Sequence, residues 1–436
     1  MSMLILDRVL KRLVQQGTLT LTDARGRQTT YGRAQAGWPD LGMRLADAGV
    51  AGAIVRNPSL GMAETFMDGR VIIEGGDIMD FVGLIRRNNP WDKAGDIDAP
   101  GLLGRLRVAL ASRIGQINRR AASLRNVSHH YDIDDRLYDL FLDENRQYSC
   151  AYWDEGTKTL EQAQIAKMDH IAAKLALRPG MRVLDIGCGW GGLALHLHRT
   201  TGAEVHGVSL SREQIAYAKQ WAEREGVADK VTFSLTDYRD VPGQFDRIVS
   251  IGMFEHVGVP NYEAFFRKCH DLLTEDGVML LHTIGRAGPP NVTDDFTRKY
   301  IFPGGYIPSM SEAVAAIEPN RLMLADVEVL RLHYALTLRE WYVRCVEAED
   351  RIVALLGERF YRMWLFYLAG AATAFEWADL VNFQFQIVRN REAVPITRDY
   401  IGREEAAFRA RRNQNTDDPG KVVHLASTAR STPEPA

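Results

Sequence analysis

The chain has 436 residues, more than a single hydrophobic core usually organises, so two domains are expected. Apolar residues make up 46% and charged residues 25%, with a formal net charge of −3, an ordinary globular balance that leaves no basic field to attract nucleic acid. Cys150, Cys188, Cys269 and Cys345 form no CxxC pair, which argues against a zinc site or a disulfide framework and for a reducing cytoplasm.

The N-terminus shows no secretory leader, because Asp7, Arg8, Lys11 and Arg12 interrupt its apolar residues. Residues 1–98 mix short helical and strand patterns. The run from Arg70 to Glu74 is strand-like, and Gly75-Gly76 reads as a turn. Breaks follow at Asn88-Asn89-Pro90 and again over 96–101. Residues 99–127 form a linker containing one helix over 102–125, with Leu103, Leu106, Leu110, Ile114, Ile117, Ala121 and Leu124 on one face. Arg105, Arg107, Arg113, Arg119, Arg120 and Arg125 make that helix wholly basic. Such a helix can lie on an anionic membrane surface, or dock its apolar stripe on its own core with the arginines in solvent.

Residues 128–412 read as one large domain. Strands are expected at 182–186, 204–209, 230–235, 247–251 and 278–284, separated by helices such as 211–225 and 262–273. This alternation predicts an α/β fold, a mostly parallel Rossmann-like sheet with helices on both faces. A strand-like run near 324–332, a long helical pattern through 336–374 and a strand at 382–388 complete it. The apolar stretch 363–375 is too short to cross a bilayer. Residues 413–436, rich in Pro, Ser, Thr and charge, read as a disordered tail.

The strongest local motif is Val183-Leu-Asp-Ile-Gly-Cys-Gly-Trp-Gly-Gly192, an apolar strand running into glycines and then a helix. Gly187, Gly189 and Gly192 also fit the dinucleotide fingerprint, a weak signal alone. Two features favour S-adenosylmethionine. Asp185 precedes the first glycine, where a carboxylate can organise the loop and engage a positive amino-acid end. The second strand ends at Val208-Ser-Leu-Ser211, with no acid where a nicotinamide cofactor's ribose would need one. Gln214 can take that role, and Asp237-Tyr238-Arg239, after the third strand, can flank an adenine. A glycine turn without a ligand is the plain alternative.

Further motifs fall at strand ends, where open α/β sheets place their ligands: Gln147-Tyr-Ser-Cys-Ala-Tyr-Trp153, Gly252-Met-Phe-Glu-His-Val-Gly258, Leu281-His-Thr-Ile-Gly285, Phe302-Pro-Gly-Gly-Tyr-Ile-Pro308 and His333-Tyr-Ala-Leu-Thr-Leu338. With the glycine loop, they make residues 128–390 closely resemble the cyclopropane fatty-acid synthases, including those acting on mycolic acids. The resemblance implies a class I S-adenosylmethionine-dependent methyltransferase fold. It also implies a smaller N-terminal lipid-binding domain, as in the phospholipid-acting members. The implied activity is methylene transfer to the cis double bond of an unsaturated phospholipid acyl chain, by a homodimer that meets the inner membrane surface from the cytoplasm.

By the same resemblance a bound bicarbonate is the base, held by the Cys150 segment, Glu255, His282, the Ile284 backbone and Tyr334. Cofactor contacts carry over to Tyr148, Ser149, Leu184, Asp185, Gly187, Cys188, Gly189, Trp190, Gly191, Gly192, Ser209, Leu210, Ser211, Gln214, Asp237, Tyr238 and Arg239, with His130 and Tyr138 as further candidates. No metal is expected. Each has a structural alternative: Cys150 as a buried filler, Cys188 as a packing residue and His282 as a core histidine. Of the adjacent Glu255 and His256, Glu255 is expected in the pocket. Phe254, Tyr300, Phe302 and Tyr306 are candidates for the acyl site, or for core. Where many family members carry a cysteine in the late helix this chain has Ala371, which excludes a covalent cysteine there. A related lipid C-methyltransferase giving a branched or methylated alkene chain is the neighbouring alternative, and a cofactor-binding lipid carrier without turnover the more distant one.

Overall fold

The computed structural model describes residues 1–93 and 134–416. The basic helix expected at 102–125, and His130, lie outside them. The first domain opens with the helix Ser2–Leu13 and then builds a four-stranded sheet from β1 (Gly17–Thr22), β2 (Gln28–Arg33), β3 (Asp40–Leu45) and β4 (Val71–Glu74), in the order β2-β1-β3-β4. β1 alternates buried and half-buried residues, so Leu19 and Leu21 face the core. The helices Val50–Arg56 and Pro58–Met67 connect β3 to β4, and Ile78–Asn88 follows with a reciprocal capping box between Asp77 and Asp80.

The second domain is organised by a seven-stranded sheet of β5 (Arg182–Ile186), β6 (Glu204–Ser209), β7 (Val231–Leu235), β8 (Phe245–Ile251), β9 (Leu273–Arg286), β10 (Met323–Leu330) and β11 (Leu380–Val388). Its order is β10-β11-β9-β8-β5-β6-β7. β5 through β9 pair in parallel, and β11 runs antiparallel to both β9 and β10. The chain leaves β5 toward β6 and β7, then returns to place β8 on β5's other side. That reversal opens a crevice at the carboxyl ends of the central strands.

The helical run expected over 336–374 is three helices, His333–Glu347, Glu349–Leu356 and Glu358–Trp377. Gly357, at φ +84°, breaks the last junction and serves as N-cap of the final piece. The helix Asp399–Thr416 also carries regular structure past 412, into the segment expected to be tail.

One apolar core runs from the first domain into the second. The helix Glu358–Trp377 packs against both Ile78–Asn88 and His333–Glu347. Polar contacts fasten the first domain to the segment after β9. Asn57 Nδ2 donates to Asp295 Oδ2 at 2.6 Å, Ser59 Oγ to Asp294 Oδ1 at 2.9 Å, and both Lys299 and Tyr300 donate to Glu64 Oε1, at 2.6 and 2.9 Å.

Gly61 marks where the helices Val50–Arg56 and Pro58–Met67 cross, since a Cβ there would stand 2.2 Å from the Ala53 carbonyl oxygen. Gly61→Ala is therefore expected to destabilise the first domain by about 1–3 kcal/mol, read as a lower urea midpoint by circular dichroism. An unchanged midpoint would contradict this close approach.

Candidate active site at the strand ends

The glycine loop is built as its residues require. Gly187, Gly189 and Gly191 have φ of +86°, +54° and +90°, a region that side chains rarely adopt. The Val208 carbonyl accepts from the N–H groups of Gly187 at 2.9 Å and Cys188 at 3.1 Å, lashing the loop to the end of β6. Gly192 opens the helix Gly192–Thr201, and a Cβ there would lie 2.1 Å from the Asn145 carbonyl oxygen. Nothing stands within 4 Å of a Cβ placed on Gly189, so that side of the loop is open. Beneath it, Leu184 is buried and Asp185 is 2% exposed, its Oδ2 without a hydrogen-bond partner among the described residues. Burial pushes the Asp185 carboxyl up to about 7. An orphaned carboxylate oxygen beside an open glycine loop fits a ligand with an ammonium group, such as the amino-acid end of S-adenosylmethionine.

The neighbouring strand ends supply the other expected cofactor residues. Ser211 caps the helix Arg212–Arg224 and accepts from the Gln214 N–H at 3.2 Å. Ser209 Oγ donates to Gln214 Oε1 at 3.1 Å and accepts from the Ser211 N–H at 3.2 Å, with half-buried Leu210 between them. After β7, Asp237 accepts from the Arg239 N–H at 3.0 Å and from its Nε at 2.8 Å, and the Tyr238 ring meets Phe265 edge-on at 5.3 Å.

The 147–153 segment joins the glycine loop to the late helices. Its Tyr148 ring stacks on Trp341 at 5.2 Å, meets Tyr138 at 5.4 Å and brings its hydroxyl to 3.2 Å from that of Tyr367. Tyr138 in turn lies 4.9 Å from the Trp190 ring of the glycine loop. Thr337 Oγ1 accepts from the Ala151 N–H and from Trp153 Nε1, both at 3.1 Å, while His333 Nδ1 accepts from the Trp153 N–H at 2.8 Å. Cys150 is fully buried and its thiol is pushed up by burial, so it stays protonated and is no nucleophile. Cys188 is likewise buried in the core beside β6 and β7.

Glu255 lies in a short 3-10 turn, Phe254–His256, after β8. Its Oε1 accepts from the Ile284 N–H at 2.7 Å, while Oε2 is buried without a partner among the described residues. Burial pushes this carboxyl up to about 7. His282, two residues before Ile284 on β9, sits opposite Gln384 of β11. Its Nε2 lies 3.0 Å from the Asn382 carboxamide and its Nδ1 3.1 Å from that of Gln384. Burial drives the imidazole neutral. A neutral ring has one N–H, so one carboxamide must present its oxygen, and Asn382 Oδ1 and Gln384 Oε1 are the buried oxygens otherwise lacking a partner. Tyr334 opens the helix His333–Glu347 with its ring 4.9 Å from Phe375 and 5.9 Å from Trp341.

The structure thus joins Glu255 directly to Ile284, gathers Tyr138, Tyr148, Trp190 and Tyr334 around one aromatic wall, and holds His282 by both nitrogens. The four acyl-site candidates differ in their packing. Phe254 is core, stacked on Tyr262 at 4.0 Å. Tyr306 donates to Glu312 Oε1 at 2.9 Å, beside the capping box of the helix Met310–Ile317. Tyr300 reaches to Glu64 of the first domain. Phe302 remains beside the wall, 6.0 Å from Tyr367.

Several residues of this region were not singled out in the sequence. Gln164 and Lys167 come from the helix Leu160–Lys174, which is buried on nearly every side and so lacks an amphipathic period. The readable signal is their occurrence in an apolar, Ala-rich run capped by Thr159. Asn382 and Gln384 had a plainer one, alternating polar residues in a strand whose other face is Phe383 and Phe385. Among the described residues no group of His, Cys, Asp and Glu side chains has the arrangement of a metal site.

Comparison with known proteins places the chain in a family. The family model for mycolic acid cyclopropane synthetase matches residues 118–385. The cyclopropane-fatty-acyl-phospholipid synthase of Escherichia coli K12 is 39% identical over 339 residues, 78% of this chain and 85% of its own. A probable fatty acid methyltransferase of Pseudomonas putida is 43% identical over 263 residues, 58% of this chain and 67% of its own. The crystal structure of the mycolic acid cyclopropane synthase CmaA1 complexed with SAH and CTAB is 36% identical, with TM-score 0.58, covering 61% of this chain and 98% of that one. This chain belongs to the mycolic acid cyclopropane synthetase family, whose fold is that of the S-adenosylmethionine-dependent methyltransferases.

Proposed function

We propose that the protein is a cyclopropane-fatty-acyl-phospholipid synthase, which transfers a methylene group from S-adenosylmethionine to the cis double bond of an unsaturated phospholipid acyl chain, with bound bicarbonate as base. The observation that carries this reading is the Glu255 carboxyl, buried on the Ile284 amide with one oxygen unmatched, at the same strand ends as the open glycine loop. The cofactor, held by the glycine loop, Asp185 and the Ser209–Gln214 turn, supplies an electrophilic sulfonium methyl.

An alkene is a weak nucleophile, so the pocket must hold it in line and close. The rings of Tyr148, Tyr334, Trp341, Phe302 and Tyr367 offer an apolar wall that excludes water and faces a carbocation with π density. Ring closure needs a base that takes a proton from the new methyl group. Cys150 is protonated and both nitrogens of His282 are engaged, so neither serves. The bicarbonate would be held by the Cys150 segment, Glu255, His282, the Ile284 N–H and Tyr334, with the carboxamide of Asn382 or Gln384 giving up one His282 nitrogen to it, and it supplies that base. Glu255, a carboxyl that favours its protonated form up to near neutrality, would release the Ile284 amide and donate a hydrogen bond instead.

The membrane part of the proposal is supported by the helix Ser2–Leu13. Leu4, 73% exposed, shares its outer face with exposed Ile5, Val9, Arg8 and Arg12, a mixture suited to an anionic lipid surface. No helix among the described residues is long and apolar enough to cross a membrane. A cytoplasmic homodimer that visits the inner membrane surface completes the proposal, with the dimer resting on family resemblance alone. The second reading, a lipid C-methyltransferase, uses the same pocket and differs in which proton leaves. The Pseudomonas putida relative's name favours it.

Labelled cofactor and unsaturated phospholipid vesicles should yield a cyclopropane acyl chain, identified by mass spectrometry after chemical ring opening. Only methyl-branched chains would support the second reading instead. Glu255→Gln should cut turnover at least about a hundredfold while S-adenosylhomocysteine still binds, and near-wild-type turnover would remove Glu255 from its role. The same variant tests the carboxyl's state. Its folded pKa lies above its ordinary 4.5, so the stability it contributes is present in acid and lost as the pH rises through about 7. Glu255→Gln should therefore gain stability relative to wild type, by about 1–3 kcal/mol, at alkaline but not acid pH. Equal differences at both pH values would contradict a buried, neutral Glu255.

A further inference from the structure

Two lysines on the helix Leu160–Lys174 are wholly buried, and they are treated differently. Lys174 pairs with the Glu328 carboxylate and has Asp326 at 3.7 Å. The Lys167 ammonium has no carboxylate within 4.0 Å among the described residues. It donates to two neutral oxygens, Gln147 Oε1 at 2.6 Å and Ser149 Oγ at 2.9 Å. An ammonium has three donors, so one is left over; the carboxyls of Asp143 and Asp185 act on the charge only through space, beyond ion-pair distance, and a buried charge without a contacting partner is costly. Gln164, one turn earlier, donates to the Gln147 and Ser149 carbonyls at 3.2 and 3.0 Å. The backbone on both sides of Tyr148 is therefore fixed by this helix.

The position of Lys167 indicates what could complete it. Ser149 adjoins Cys150, and the ammonium acts through its charge on Asp143, Cys150 and Asp185, and on His282. The residues that would surround a bound anion, namely Cys150, Glu255, His282, Ile284 and Tyr334, include no cation and one acid. Something else must make that pocket attractive to negative charge.

We propose that Lys167 is the cation of an anion-binding site, drawing a small carboxylate-type anion to the Ser149–Cys150 segment that its ammonium holds. Two sources share that chemistry, free bicarbonate and the carboxylate of the cofactor's amino-acid end. The bicarbonate source rests on the proposed function above. The cofactor source needs only that the glycine loop binds its ligand. Lys167 is a positioning residue in either case, since it acts by holding the anion and the 147–150 backbone.

The test is calorimetric binding and thermal shift on the full chain, wild type against Lys167→Met, which removes the charge and keeps the stem. The probes are S-adenosylhomocysteine, its decarboxylated analogue, and bicarbonate added to the S-adenosylhomocysteine complex. Bicarbonate binding weakened on the order of tenfold, with both nucleosides unaffected, supports the bicarbonate source. A similar loss for S-adenosylhomocysteine but not for its decarboxylated analogue supports the cofactor source. A folded variant that binds all three probes as wild type does overturns the proposal. Wild type that shows no bicarbonate binding, together with unchanged nucleoside affinity in the variant, overturns both the proposal and the bicarbonate reading. Bicarbonate failing alone, with S-adenosylhomocysteine weakened, leaves the lysine's role intact.

Should Lys167→Met not fold, wild type still decides. Burial lowers Lys167 to about 8. Of the groups facing it, Asp185 is held to about 7, the Cys150 thiol stays protonated and His282 stays neutral, while Asp143 is a carboxyl raised by burial. The affinity for the favoured anion should fall as pH rises through about 8, and an affinity that is flat across that range overturns the proposal.

Discussion

The site depends on one constraint: ionisable groups buried under apolar side chains at the open end of a parallel sheet. Water cannot solvate them there, so each must be neutral, be matched by a neighbour or await a ligand. Glu255 is matched on one oxygen by the Ile284 amide, Asp185 has an oxygen matched by nothing among the described residues, and His282 is neutral between two carboxamides. These are the places where a cofactor with an ammonium and a small anion would restore the balance.

The fold exists to make that constraint possible. Parallel strands bring the ends of β5, β8 and β9 side by side, and the reversal between β5 and β8 leaves them uncovered. The antiparallel β11 adds Asn382 and Gln384 at the level of Ile284 and His282. The late helices close the other side with tyrosine and tryptophan rings. The first domain shares the same core through the helix Glu358–Trp377, and it grips the segment after β9 through Asn57, Ser59 and Glu64. The first domain is thus packed on the helix that carries Tyr367 of the aromatic wall.

Much of this was readable in the residues. β5 and β6 lie at their expected bounds because apolar runs end at glycine and serine, which cannot be mistaken for helix. The glycine loop and Glu255 were legible because their motifs are specific. β2 was not, since only Tyr31 of its six residues is buried and no alternation results. The helix Leu160–Lys174 was missed for the opposite reason: it is buried nearly all round, so no amphipathic period marks Gln164 and Lys167, and only their place in an Ala-rich run does. Phe254, Tyr300 and Tyr306 were candidates for a pocket because aromatic residues look alike in sequence. Only packing separates a core ring from a lining one.

The most direct measurement is diffraction from crystals grown with S-adenosylhomocysteine and bicarbonate. The account predicts a planar anion hydrogen-bonded to the Ile284 amide, with the Glu255 carboxyl turned off that amide and onto the anion, beside the nucleoside's sulfur. Glu255 still seated on Ile284, with no third group between it and the sulfur at saturating bicarbonate, would contradict it.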